Sequence, residues 1–405
     1  MPVTRLRLVS RPLRDFCDGD RNLNDIAGAT GMLFVRDGVG FAGVGEAARV
    51  ALGEAPALLN EAVVDDPLNV VGSCGVAIGS HPFAGVGGTA IVPKVLVGKP
   101  AEGPHFVTFV EGGESLVHAA LTPRAPAPTS AAAYTISPGV DTQHYLAAVT
   151  AARDAVRSGR LVKAVIARDI VVEASLPIDV HALLRRLQVS FGSSYRYSID
   201  SFVGASPELL VARDGDVVTS HPLAGTTPRT GDPTTDAQLA SALRASEKNQ
   251  VEHRVVIDMV HDTLLPWCSF LDWQPEPEVV AVANVQHLGT RIEGRLSQPV
   301  PHVLDLVRAL SPTPALGGFP RDEALRLIAE SEGLDRGRYG GAVGWCDGSG
   351  NGAWAVAIRC AELSPDRRRA RLFAGGGIVA ESDPLAELAE TQAKFQAMLA
   401  AIVRP

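Results

Sequence analysis

Glu387, Glu390 and Lys394 follow one another at intervals of three and four residues in ESDPLAELAETQAKFQAML. At 100° per residue they fall within about 60° of one another on a helix. Two carboxylates and an ammonium therefore share a face. That face is either a solvated surface with an ordinary i,i+4 ion pair or a set that holds a cation beside an anion. Leu388, Phe395, Leu399 and Ile402 lie about 90° away and form the expected core face. Glu252 sits inside a second helical stretch, beside His253 and near Val255 and Val256, where a half-buried carboxylate needs a partner. Magnesium takes oxygen ligands and bridges one or two protein carboxylates to an anionic ligand, so Glu252 and Glu390 could hold it from two helices. His253 and His261 do not suit so hard a cation and are read as structural.

Lys163 lies in LVKAVIARDIVVEA and shares a strand face with Leu161, Val165 and Ala167. Desolvation there would make a neutral amine available as a general base. Glu208, in GASPELLVARDG, is enclosed by apolar neighbours, which would raise its pKa and suit it to donate a proton. Plainer roles exist for both, a snorkelling lysine and a strand-edge glutamate, but a base and an acid with opposite shifts are what a hydroxyl exchange needs. GAWAVAIRCA alternates so that Ala355, Ala357 and Arg359 share one strand face and Trp354, Val356 and Ile358 the other. Small neighbours would leave Arg359 room for a bidentate contact to a carboxylate. Gly375, Gly376 and Gly377 offer either a tight turn or bare N–H groups that an anion can approach.

These residues need elements to hold them. Residues 31–118 read as short strands broken by glycine turns, with a hairpin at Asp37-Gly38. Pro, Ala and Ser crowd residues 121–139, a connection between a β-rich subdomain (1–130) and a larger one (131–405) of one integrated fold. Beyond it the spacing predicts a helix over 141–158, a central strand over 161–174, a turn at 213–216 and a helix over 236–265 that Pro266 stops. Ser382-Asp383-Pro384 supplies a cap and a first-turn proline for the last helix. Gly38, Gly40 and Gly43 also satisfy G-x-G-x-x-G ahead of the helix-compatible stretch 46–62, but an Asp-Gly hairpin suits them better than a strand-to-helix crossover under a pyrophosphate.

A chain of 405 residues, 46% hydrophobic and 20% charged, can bury a large core, which excludes disordered and fibrous classes. A net charge of −8 gives no footprint for nucleic acid or an anionic membrane. Five cysteines without a C-x-x-C fit reduced thiols. No apolar window approaches the ~18 residues of a membrane span, and the N-terminus lacks a signal-peptide core, so a cytoplasmic protein is expected.

Six blocks in order, VKAVIAR, SPELLV, HPLAGTTPR, ASEKNQVEH, SPTPALGGFP and the stretch from RGRYGG to ETQAK, resemble the chorismate-utilising enzymes. That family spans isochorismate, salicylate, anthranilate and aminodeoxychorismate synthases. The resemblance covers about residues 140–400. It implies an α/β (α+β) fold of large antiparallel sheets packed as a sandwich with helices outside and a deep cleft between the sheets. It further implies Mg2+ bound by Glu252 and Glu390 with Glu387 in the outer coordination shell, Tyr339, Arg359, Gly376 and Lys394 at the enolpyruvyl side, and Thr226 and His287 lining the pocket.

Glutamine is common at the position of Lys163 in the ammonia-using members, so lysine matches the water-using branch, with Lys163 activating water at C2 and Glu208 protonating the leaving C4 hydroxyl. Ala224 stands where aminodeoxychorismate synthases often carry a lysine. Ala315 and Ile358 resemble the type that releases isochorismate, whereas Tyr339 is shared with salicylate synthases, which go on to eliminate pyruvate. The expectation is a monomer that isomerises chorismate to isochorismate for a siderophore, menaquinone or other pathway, with salicylate formation as the alternative. Asn249 and Ala353 depart from positions that are commonly acidic in the family.

Overall fold

The computed structural model describes residues 5–85, 87–122, 132–282 and 284–404. Residues 123–131 of the proline-rich connection lie outside the described residues. The Asp37-Gly38 hairpin is present. Met32–Arg36 pairs with Val39–Ala51 across a two-residue loop in which both residues have positive φ, 50° and 84°, as a type I′ turn requires. The second strand continues to Ala51 and is followed by a single 3-10 turn and the helix Ala55–Asn60. The helix-compatible reading of 46–62 therefore holds for six residues only, and the glycine pattern lies on a hairpin with no crossover helix to receive a pyrophosphate.

Two antiparallel layers carry the fold. The first runs from Arg7–Pro12 through Phe106–Val110, Thr89–Lys99, Val39–Ala51, Met32–Arg36, Tyr195–Ile199, Phe202–Ser206, Cys360–Leu363 and Arg369–Ile378 to Lys163–Ala174. The second runs from Val76–His81 through Ala342–Asp347, Gly352–Val356, Leu209–Asp214, Val217–His221 and Ile292–Leu296 to Cys268–Trp273. Thr89–Lys99 also pairs with Val76–His81 and so joins the layers. Strands from before and after residue 130 are neighbours in both.

Alternation explains how each layer packs on two sides. Phe373 faces the space between the layers with Phe34, Tyr197, Phe202, Ile78, Leu209, Trp345 and Ala355. Its neighbour Leu372 faces outward, against Leu183 and Leu187 of the helix Val180–Ser190 and Phe395 and Ile402 of the helix Pro384–Val403. On the outer side of the second layer, Val256 and Val260 of the helix Glu247–Leu264 and Leu304 and Val307 of Val303–Leu310 pack against Val211, Val218, Ile292 and Trp354. A small sheet of Leu223–Pro228, Val285–Gly289 and Glu278–Val282 stands apart from both layers. Among the described residues no helix is long and apolar enough to cross a membrane, and all five cysteines are unpaired.

Three local expectations are corrected. The stretch 236–265 is two helices, Pro233–Ala245 and Glu247–Leu264, because Ser246 leaves helical geometry (φ −75°, ψ 110°) and its hydroxyl caps the second by accepting the Asn249 N–H. Gly375 to Gly377 form not a tight turn but the end of the Arg369–Ile378 strand. Alternation through GAWAVAIRCA stops at Val356, since Arg359 has a positive φ of 51° before the next strand starts at Cys360.

Candidate active site

The residues singled out for chemistry converge on one cleft. It is lined by Lys163, Glu208, Thr226, Glu252, His287, Ala315, Tyr339, Ile358, Arg359, Gly375, Gly377, Glu387, Glu390 and Lys394. Gly376 is the exception. Its Cα faces the other side of the strand, where an added Cβ would lie 2.7 Å from Glu387 Oε2. The left-handed backbone at Arg359 accounts for a departure from the alternation argument, because Ile358 and Arg359 both reach the cleft.

Lys163 begins the Lys163–Ala174 strand and is 2% exposed. Its Nζ donates to Glu252 Oε1 at 2.7 Å, a contact between strand and helix that sequence spacing does not reveal. Glu208, 3% exposed, sits between Ser206 and Leu209 at the start of a strand. Burial pushes its pKa up to about 8, opposed only in part by the Leu223 N–H and by Lys163 and Arg359. The expected upward shift is thus present, with desolvation as its cause.

The C-terminal helix begins as its cap predicts, Asp383 accepting the Ala386 N–H ahead of Pro384. Its buried face is centred nearer the acidic stripe than expected, with Glu387, Thr391, Met398 and Ile402 all buried. Lys394 Nζ lies 2.5 Å from Glu390 Oε1 and also donates to Gly375 O at 2.7 Å. Burial works against ionisation of Glu390, yet Lys394 outweighs it and holds the pKa below the usual carboxylate value. Burial and then the neighbouring Glu390 raise that of Glu387.

Gly375 and Gly377 face the cleft because a side chain there would fill it. A Cβ at Gly375 would stand 3.1 Å from the Tyr339 hydroxyl, and one at Gly377 would stand 2.6 Å from Glu252 Oε1 and 2.7 Å from Lys163 Cε. They leave room for these groups at the end of a strand whose second edge is paired only from Ala370 to Leu372. Opposite, Arg359 Nη2 lies 3.1 Å from His287 Nε2. Since guanidinium only donates, Nε2 accepts and the proton resides on Nδ1, which donates to Gly225 O at 3.2 Å with Thr226 Oγ1 at 3.1 Å. Burial, then Arg359 and Lys394, push the His287 pKa down to about 3, so the ring is neutral.

Oxygen donors suit a hard cation. One oxygen of Glu387 accepts from Ser382 Oγ at 2.8 Å, while Oε2 is buried with no partner, a group that a cation would satisfy. Among the described residues no three acidic, histidine or cysteine side chains close into a ready metal cage. That fits an ion that takes one or two carboxylates and completes its shell with water and ligand. Glu252, Glu387 and Glu390 are the residues able to hold it.

A family model described as chorismate binding enzyme matches residues 105–403. This chain belongs to the chorismate-binding enzyme family. Among similar proteins, the putative isochorismate synthase MenF of Mycobacterium tuberculosis H37Rv is 47% identical over 293 residues, 69% of this chain and 78% of that one. The isochorismate synthase DhbC of Bacillus subtilis is 40% identical over 280 residues, covering 66% and 70%. A crystal structure of the putative 2,3-dihydroxybenzoate-specific isochorismate synthase DhbC of Bacillus anthracis superposes with a TM-score of 0.76 at 32% identity, over 94% of this chain and 98% of that one. The menaquinone-specific isochorismate synthase MenF of Escherichia coli, at 23% identity, shares the fold with a TM-score of 0.85 over 98% and 95%.

In this chorismate-binding enzyme the cleft also contains Lys248, which went unassigned in the sequence. Lying four residues before Glu252 it shares that helical face, so i,i+4 spacing was the available signal. Asn249 lines the cleft too, its amide donating to Ser246 Oγ at 2.8 Å. Ala353 does not; it borders a separate cavity with Phe34, Tyr195 and Trp345.

Proposed function

We propose that the protein is a magnesium-dependent isochorismate synthase, adding water at C2 of chorismate and expelling the C4 hydroxyl. The observation that carries this reading is the presence of Lys163 and a proton-bearing Glu208 in one cleft that also holds cationic and acidic groups for a dianionic ring. Lys163, aimed by Glu252, takes the proton from the attacking water. Glu208 gives its proton to the departing hydroxyl, so water is consumed at C2 and released from C4 with no net change in atoms. Arg359, Lys394 and Lys248 supply positive charge for the two carboxylates, and neutral His287 fixes the Arg359 guanidinium by accepting from it. A bound magnesium ion would hold and neutralise the ring carboxylate, with Glu252, Glu387 and Glu390 to bind it. The reading includes a cytoplasmic monomer, which size-exclusion chromatography at working concentration checks.

Three expected results follow from the geometry. Because Glu208 must carry its proton, kcat/KM should fall above an alkaline limb near pH 8, the folded-state value. A profile unchanged well past that point excludes Glu208 as the acid. Glu390→Gln should raise the magnesium concentration for half-maximal rate by roughly tenfold or more, and an unchanged metal titration removes Glu390 from the metal site. Gly377→Ala forces Glu252 and Lys163 to shift and should cost about 10–100-fold in kcat, read by steady-state kinetics beside an unfolding curve.

A further inference from the structure

Along one edge the Lys163–Ala174 strand pairs without interruption, Ala164 to Glu173, with Arg369–Ile378. Its other edge is covered at the ends only, by Gly318–Phe319 at Lys163 and Ala164 and by Tyr134–Pro138 from Ile170 to Ala174. Between them the peptide groups of Val165 and Ala167 need partners in a buried place. Val165 N–H donates to Gly317 O at 2.9 Å. Side chains supply two more. Arg336 Nη2 donates to Val165 O at 2.7 Å, and Glu332 Oε2 accepts from the Ala167 N–H at 2.9 Å.

The same guanidinium donates through Nε to Glu332 Oε1 at 2.7 Å and through Nη1 to Leu316 O at 2.8 Å. It lies over the Phe83 ring, 4.1 Å from the centroid. The Tyr339 N–H donates to Arg336 O at 2.9 Å. Glu332 is 1% and Arg336 3% exposed, and neither lines the cleft. One planar cation thus ties together two stretches that do line it, at Lys163 and Val165 and at Ala315 and Leu316, while the backbone carbonyl of the same residue holds a third at Tyr339. A lysine, with a single point charge, cannot reproduce that fork.

We infer that Glu332 and Arg336 are positioning residues for the reaction, substituting for a missing strand and thereby fixing Lys163 relative to Glu208 and the Ala315 wall. The inference rests on the isochorismate synthase reading. It is tested by a double-mutant cycle. Arg336→Lys should lower kcat at least about tenfold, since displacements near 1 Å at a reacting group cost up to ~10²-fold, while KM for chorismate stays within about threefold. In a Lys163→Ala background the same substitution should change kcat by less than about twofold, because the group it positions is gone.

A pair with a merely structural role would lower the unfolding temperature and leave the kinetics of the folded fraction alone. Equal fold losses in the two backgrounds, or an Arg336→Lys enzyme with kcat close to the unsubstituted one, overturn the inference. Glu332→Gln, which retains an acceptor for the Ala167 N–H, goes through the same cycle and must show the same non-additivity, so the outcome does not depend on one variant folding. Isochorismate formation by the unsubstituted enzyme separates the two claims: its absence sinks the functional reading, while normal activity with unaffected variants sinks only this one.

Discussion

Lys163→Ala is expected to lower kcat by roughly 10²–10⁴-fold, the range of a positioned general base, while chorismate still binds. The side chain is enclosed, and Glu252 and the open space over Gly377 set the direction of its nitrogen. Alanine removes that nitrogen and leaves Arg359, Lys394, Lys248 and the acidic groups in place, so the loss belongs to the chemical step rather than to recognition. Steady-state kinetics with a binding titration of chorismate separate the two. A kcat near that of the unsubstituted enzyme removes Lys163 from proton transfer, and a lost binding signal with kcat retained at saturation makes it a recognition group instead.

Glu208→Gln is expected to have an effect of similar size, about 10²–10⁴-fold on kcat/KM, and to abolish the alkaline limb. Glutamine keeps the shape and the acceptor for the Leu223 N–H but has no acidic proton for the C4 hydroxyl. The sign follows from the environment. Burial lifts the carboxyl to about pH 8, so the competent form dominates at neutral pH and is lost as pH rises through that value. Retention of the limb in Glu208→Gln assigns the titration to another group.

What the sequence disclosed and what it hid divide along physical lines. The stripe of Glu387, Glu390 and Lys394 was legible because helical spacing is rigid and Asp383-Pro384 marks its start. The raised pKa of Glu208 was expected from apolar sequence neighbours, and the structure adds Val165, Leu223 and Ile358 from distant parts of the chain to the cleft that buries it. Arg359 was legible as a cleft residue but for an incomplete reason, since a residue with positive φ breaks the alternation that the pattern assumes and no local signal announces it. The glycine run offered a tight turn or bare N–H groups to an anion, and its place in a strand was hidden because glycine weakens strands, whereas long pairing with Lys163–Ala174 overrides that preference and the missing side chains leave room for Glu252, Glu387 and Lys163. Contacts between residues far apart in the chain, Lys163 with Glu252 and Arg336 with Val165, lay beyond any periodicity argument.

The product formed from chorismate tests the roles of Lys163 and Glu208 most directly. Purified protein incubated with chorismate and Mg2+, with the mixture resolved by chromatography and pyruvate followed by coupling to lactate dehydrogenase, should yield isochorismate and no pyruvate. Salicylate with an equal amount of pyruvate would instead make the protein a salicylate synthase, and chorismate recovered unchanged after hours beside a folded, chorismate-binding protein would contradict the assignment of Lys163 and Glu208 altogether.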